Sequence, residues 1–144
     1  MARKDKGKYA DKYPADRKTK PEVVKAVREK SEGGVIPCAT AIIVAEETDV
    51  PAGEVGFTID RLEIRISKCQ LGLFGNTPLG KIVRAEPSVS PELEAAIRAE
   101  LVEGRLSCTA AWKIAKVFKI PRIRVSGACE ALKIKISSCQ LGAF

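Results

Sequence analysis

The chain has 144 residues, enough for one ordinary domain or two very small ones and too few for a large catalytic architecture. Lys and Arg total 25 against 18 Asp and Glu, a net charge of +7, and 45% of residues are hydrophobic, which is a globular composition with a basic lean. The absence of histidine excludes Ser-His-Asp and Cys-His nucleophile pairs, His-ligated zinc and imidazole acid–base chemistry together.

Residues 1–20 carry +5, from Lys4, Lys6, Lys8, Lys12, Arg17, Lys18, Lys20 and Arg3 against three Asp. With so few apolar residues to bury, this stretch is expected to be a disordered basic tail, serving either as a phosphate-seeking arm or as a solubility tail. The start Met1-Ala-Arg-Lys-Asp-Lys has no apolar segment behind it, and no apolar run approaches the roughly 18–20 residues that span a bilayer. A cytoplasmic location and no membrane partner are therefore expected.

The segment Ile66-Ser-Lys-Cys-Gln-Leu-Gly-Leu-Phe74 returns as Ile136-Ser-Ser-Cys-Gln-Leu-Gly-Ala-Phe144, at an offset of 70. Without a gap, the same offset aligns Pro21–Phe74 with Pro91–Phe144 and matches Pro21/Pro91, Glu22/Glu92, Gly34/Gly104, Cys38/Cys108, Ala45/Ala115, Pro51/Pro121 and Leu62/Leu132. Self-similarity held over such a span indicates a duplicated unit. The expected organisation is a tail 1–20, unit 1 over 21–75, a linker 76–90 with turn chemistry, and unit 2 over 91–144.

Each unit is read twice, since both copies must make the same fold. A first helix is expected over Pro21–Lys30 and Pro91–Glu103, with proline at its first position, Ser90 as a cap, apolar residues at helical spacing, and Gly34 or Gly104 as the stop. A short apolar stretch, Val35-Ile36 or Leu106, precedes a second helix that starts at Cys38 or Cys108 and ends at Pro51 or Pro121. The third helix would bury Val55, Ile59 and Leu62, or Val125, Cys129 and Leu132, along one face. Leu62-Glu-Ile-Arg-Ile-Ser and Leu132-Lys-Ile-Lys-Ile-Ser then alternate strictly, the period of a half-buried strand.

The expected class is mainly α with short β strands, α+β. At these residues the pattern resembles the winged helix-turn-helix superfamily of DNA-binding domains: a second helix ending Ile114-Ala-Lys-Val-Phe-Lys-Ile120, a turn at Pro121, a third helix with Val125 and Leu132, and a strand leading into a wing. The resemblance covers both units. A wing needs a returning strand, which Lys81-Ile-Val-Arg84 would supply after unit 1; unit 2 would have a clipped wing or borrow one.

The repeat makes one copy a control for the other. Lys113, Lys116, Lys119, Arg122 and Arg124 stand in unit 2 where unit 1 has Ile43, Glu46, Asp49, Ala52 and Glu54. Phosphates are bound by neutralising cations and repelled by carboxylates, so unit 2 is the expected nucleic-acid surface, with DNA favoured over RNA. The resemblance implies that Lys113, Lys116 and Lys119 lie near phosphates, that Arg122 and Arg124 lie at the start of the recognition helix within reach of guanine, and that Lys133 and Lys135 add backbone contacts. Unit 1 would then serve as a partner surface.

Four of the five cysteines are repeat mates, Cys38/Cys108 and Cys69/Cys139, and Cys129 lies opposite Ile59. They read as small buried apolar groups, as a redox pair in each unit, or as metal ligands. Glu46 and Glu47 are adjacent and would diverge on a helix, and no glycine-rich phosphate loop is present. No catalytic residue, metal site or cofactor is expected. The function expected is DNA binding with transcription regulation; the alternative is a non-catalytic protein–protein adaptor, or a redox- or metal-sensing one that uses the paired cysteines.

Overall fold

The computed structural model describes residues 13–75 and 81–143. Among them are six helices and four strands of three residues each, so the chain is of the α+β class. It divides into two compact units: one takes the residues up to Cys69 together with Gln140–Ala143, the other Gln70–Cys139. The boundary therefore differs from the one the repeat suggests, because the Gln-Leu-Gly segments that follow Cys69 and Cys139 are each grouped away from the strand before them. Lys4, Lys6, Lys8 and Lys12 of the expected tail lie outside the described residues.

In unit 1, helix α1 (Pro21–Lys30) opens on proline and Glu22 and closes on Arg28 and Lys30, charges that complement the helix dipole at both ends. It buries Val23 and Val27, four apart on one face. The helix stops at Ser31, whose backbone is extended, and not at Gly34. Gly33 and Gly34, both with positive φ, instead form the centre of a tight turn closed by reciprocal bonds between Glu32 and Val35 of 2.9 and 3.0 Å.

Strand β1 (Val35–Pro37) leads directly into α2 (Cys38–Thr48), which buries Cys38, Ala41, Val44 and Ala45. Asp49 ends α2 in the left-handed conformation, and Pro51 caps α3 (Ala52–Arg61). Strand β2 (Arg65–Ser67) lies parallel to β1 in the register Val35↔Arg65, Ile36↔Ile66 and Pro37↔Ser67. Parallel pairing needs a long crossover, and the α2–α3 pair supplies it. The alternating stretch from Leu62 is thus only half strand, since Leu62 caps α3 and Glu63 takes a positive φ.

Helix α3 is the axis of this unit. Val55, Gly56, Phe57, Thr58, Ile59 and Asp60 are all buried, so its burial extends beyond one stripe to the whole circumference. Two segments close it. At Gly56 a Cβ would overlap the Leu141 carbonyl oxygen, so only glycine admits that backbone. On the Phe57 ring, Tyr13 packs edge-on with centroids 4.8 Å apart and the Arg17 guanidinium stacks at 3.8 Å. The Tyr13 hydroxyl donates to Asp60 Oδ2 at 2.8 Å, and Arg61 donates to the carbonyls of Pro14 and Arg17. Residues 13–17, expected to be part of the disordered tail, are therefore packed on α3, because aromatic and guanidinium groups offset the entropy of ordering them.

Unit 2 has α4 (Pro91–Ala99), β3 (Arg105–Ser107), α5 (Cys108–Phe118), α6 (Arg122–Leu132) and β4 (Lys135–Ser137), with β3 and β4 parallel. Ser90 and Ser107 cap α4 and α5, their hydroxyls accepting from Leu93 N–H and Ala110 N–H at 3.1 Å. α4 ends before Glu100, short of the expected Glu103, because Val102 and Arg105 exchange backbone bonds in a turn through Gly104. Lys81–Arg84 forms no strand; Ile82 and Val83 donate to the Gly72 carbonyl instead. With β3 and β4 parallel, the described residues contain no strand returning from a wing hairpin.

Candidate nucleic-acid interface

Helices α5 and α6 are joined by three residues, Lys119 to Pro121. Lys119 turns the chain in the left-handed region at φ 55°, its N–H bonding back to Ala115 and Lys116, and Pro121 then caps α6. α5 buries Cys108, Ala110, Ala111, Ile114 and Ala115, which leaves Lys113, Lys116 and Val117 on the opposite, exposed face. The position of the α5 cations thus follows from the apolar period of α5, and the helix-turn-helix connection from the left-handed Lys119 and from Pro121.

The seven candidate cations do not form one surface. Lys113 is exposed and pairs with Glu100 at 3.3 Å. Arg124 pairs with Glu86, also at 3.3 Å. Arg122 is held in place: its guanidinium lies 3.5 Å over the Trp112 ring and donates to Gln70 Oε1 at 3.1 Å. Lys116 and Lys119 are exposed and have no ion pair with a described residue. Lys133 caps the far end of α6, and Lys135 lies on β4; both are exposed. Eleven helical residues separate the two ends of α6, about 16 Å at 1.5 Å per residue, so Lys133 and Lys135 are far from the turn.

The middle of α6 is closed. Val125, Ser126, Gly127, Ala128 and Cys129 are buried. A Cβ at Gly127 would lie 2.7 Å from the Arg84 carbonyl oxygen, and Glu86 N–H donates to the Gly127 carbonyl at 3.1 Å. Gly72 packs on the side chain of Ile123. A recognition helix must present its free surface to a groove about 12 Å wide, whereas the middle of α6 is covered by its own chain and exposes only Arg124 in its first turn and Ala131 near its end. Of the two arginines expected at the start of the recognition helix, Arg122 is held against Trp112 and Gln70, and Arg124 is the one exposed cation of the first turn of α6.

Arg105 was not among the candidates. It lies directly across from Lys135 in the β3–β4 register and is exposed. The sequence carries a signal for it, since the position 70 residues earlier is the apolar Val35.

No disulfide joins any of the five cysteines among the described residues. Cys38, Cys69, Cys108 and Cys129 are buried and Cys139 is half-buried. Burial, with a smaller contribution from the Glu130 carboxylate, raises the Cys129 thiol to about 11. Among the described residues no three His, Cys, Asp or Glu side chains are grouped to hold a metal ion, and no helix is long and apolar enough to cross a membrane. Comparison of the chain with protein-family models, curated proteins and solved structures finds no match.

Proposed function

We propose that the chain is a nucleic-acid-binding protein built from two helix-turn-helix units related by a tandem repeat and without a wing hairpin among the described residues, and that unit 2 holds duplex DNA by its phosphates. The observation that carries the reading is the three-residue α5–α6 turn with Lys116 and Lys119 exposed beside it and in no ion pair with a described residue. Lys113, one turn before Lys116 on α5, and Arg124, in the first turn of α6, are held in ion pairs on the protein surface, which are worth only about 0–1 kcal/mol and exchange readily for phosphate. Arg105 and Lys135, opposite each other in the β3–β4 register, offer a second pair of exposed cations for backbone contact, with Lys133 exposed two residues before Lys135.

Because α6 is sheathed, binding is through phosphates with little base readout. Transcription regulation, which needs base discrimination, is not part of the proposal. The test is charge reversal: Lys116→Glu with Lys119→Glu removes binding to a duplex at low salt, while Glu46→Gln with Asp49→Asn at the mates in unit 1 leaves it unchanged. Equal binding by the wild type and the reversed variant contradicts the assignment.

A second reading, a protein adaptor, is favoured by Val102 and Val117, which are 72% and 68% exposed. An adaptor would bind no duplex even at low salt, and replacing both valines by Ser would weaken capture of its protein partner.

A further inference from the structure

Unit 1 is completed by four residues that lie far along the chain from its other elements. Leu141 is 1% exposed and Ala143 7%, and the backbone of Leu141 fits against Gly56, where no side chain can stand. Unit 2 has a corresponding closure within itself: Leu71 is fully buried, and Gly72 packs on Ile123 and accepts from Ile82 N–H and Val83 N–H. The two closing segments have one sequence, Cys69-Gln-Leu-Gly and Cys139-Gln-Leu-Gly. They also share a backbone path. Lys68 and Ser138 have φ of 51° and 55°, and Gly72 and Gly142 have 72° and 77°.

We propose that the seat on α3 is an exchangeable docking site, and that its second occupant is the Gln140–Ala143 segment of another copy of this chain. The seat takes a leucine that becomes buried and a backbone that approaches Gly56, and both features are the same whichever copy supplies them. What favours the intramolecular form is local concentration, since a tethered segment acts at an effective concentration in the millimolar range. Only four residues need to leave and return, which makes exchange a low-cost route to a dimer. The inference is independent of nucleic-acid binding.

The experiment is refolding from urea, read by light scattering after size exclusion. The wild-type chain refolded at high concentration is expected to yield a dimer of twice the 15.5 kDa monomer, and to yield only monomer when refolded dilute. An excess of a peptide spanning residues 136–144 during refolding should suppress the dimer. Gly56→Ala blocks the seat and Leu141→Asp disables the segment, so each variant alone should remain monomeric. Mixed, they should give a heterodimer, because one supplies an intact seat and the other an intact segment. A wild-type chain that is monomeric at every concentration overturns the proposal, as does a dimer that persists with the peptide present.

Discussion

Gly56 and Gly53 lie in the same helix, and the structure gives them opposite roles. At Gly53 a Cβ meets nothing within 4 Å, so Gly53→Ala should gain up to about 1 kcal/mol from helix propensity. At Gly56 the same change drives a methyl group into the Leu141 carbonyl, and Gly56→Ala should instead lose about 2–3 kcal/mol. Urea unfolding of the two variants checks the reversal of sign. Cys129 gives a residue-scale prediction in pH. Its thiol is raised from 9.0 to about 11, so the folded state keeps a proton that the unfolded state has lost. Its contribution is fully present below pH 9 and is lost as pH rises from 9 to 11, by at most about 1.4 kcal/mol per unit. The stability difference between wild type and Cys129→Ala should shrink across that window and stay flat below it.

At the scale of elements, the serine caps of α4 and α5 are the local signals that the structure uses most directly. Ser90→Ala and Ser107→Ala should each cost about 1 kcal/mol, measured by thermal or urea unfolding, because each leaves a helix N–H without its acceptor. The same local chemistry made α1, α2 and α5 legible in the sequence: proline starts, apolar period and turn residues act within one turn of the chain. The ends of α4 and β2 were less legible, because Glu103 and Glu63 adopt positive φ without being glycine. What the sequence concealed was the covering of α3 and α6. Val55 and Ile59 announce a one-sided stripe, yet Phe57 and Asp60 are buried by Tyr13 and Arg17, and Gly127 by Arg84 and Glu86, through contacts more than 38 residues apart in the chain. Helical period reports how a helix faces its neighbours and carries no information on segments that arrive later. The candidate site suffered for the same reason: Lys116 and Lys119 were placed from local sequence, whereas the commitments of Arg122 to Gln70 and Arg124 to Glu86 are tertiary.

For the molecule as a whole, the net charge of +7 is unevenly distributed, with residues 21–75 at −3 and residues 91–144 at +4. Removing the Glu86 partner should strengthen phosphate binding, because Arg124 is then freed; Glu86→Gln is expected to tighten duplex affinity by a few fold at low salt. The central claim is that unit 2 binds phosphates through α5 and its turn without reading bases. The most direct measurement is a salt series of fluorescence anisotropy on two duplexes of unrelated sequence, with wild type and the Lys116→Glu, Lys119→Glu variant. The account predicts equal wild-type affinity for both duplexes, a steep loss with added salt, and no measurable binding by the variant. A strong preference for one duplex, or no wild-type binding at low salt, would contradict it.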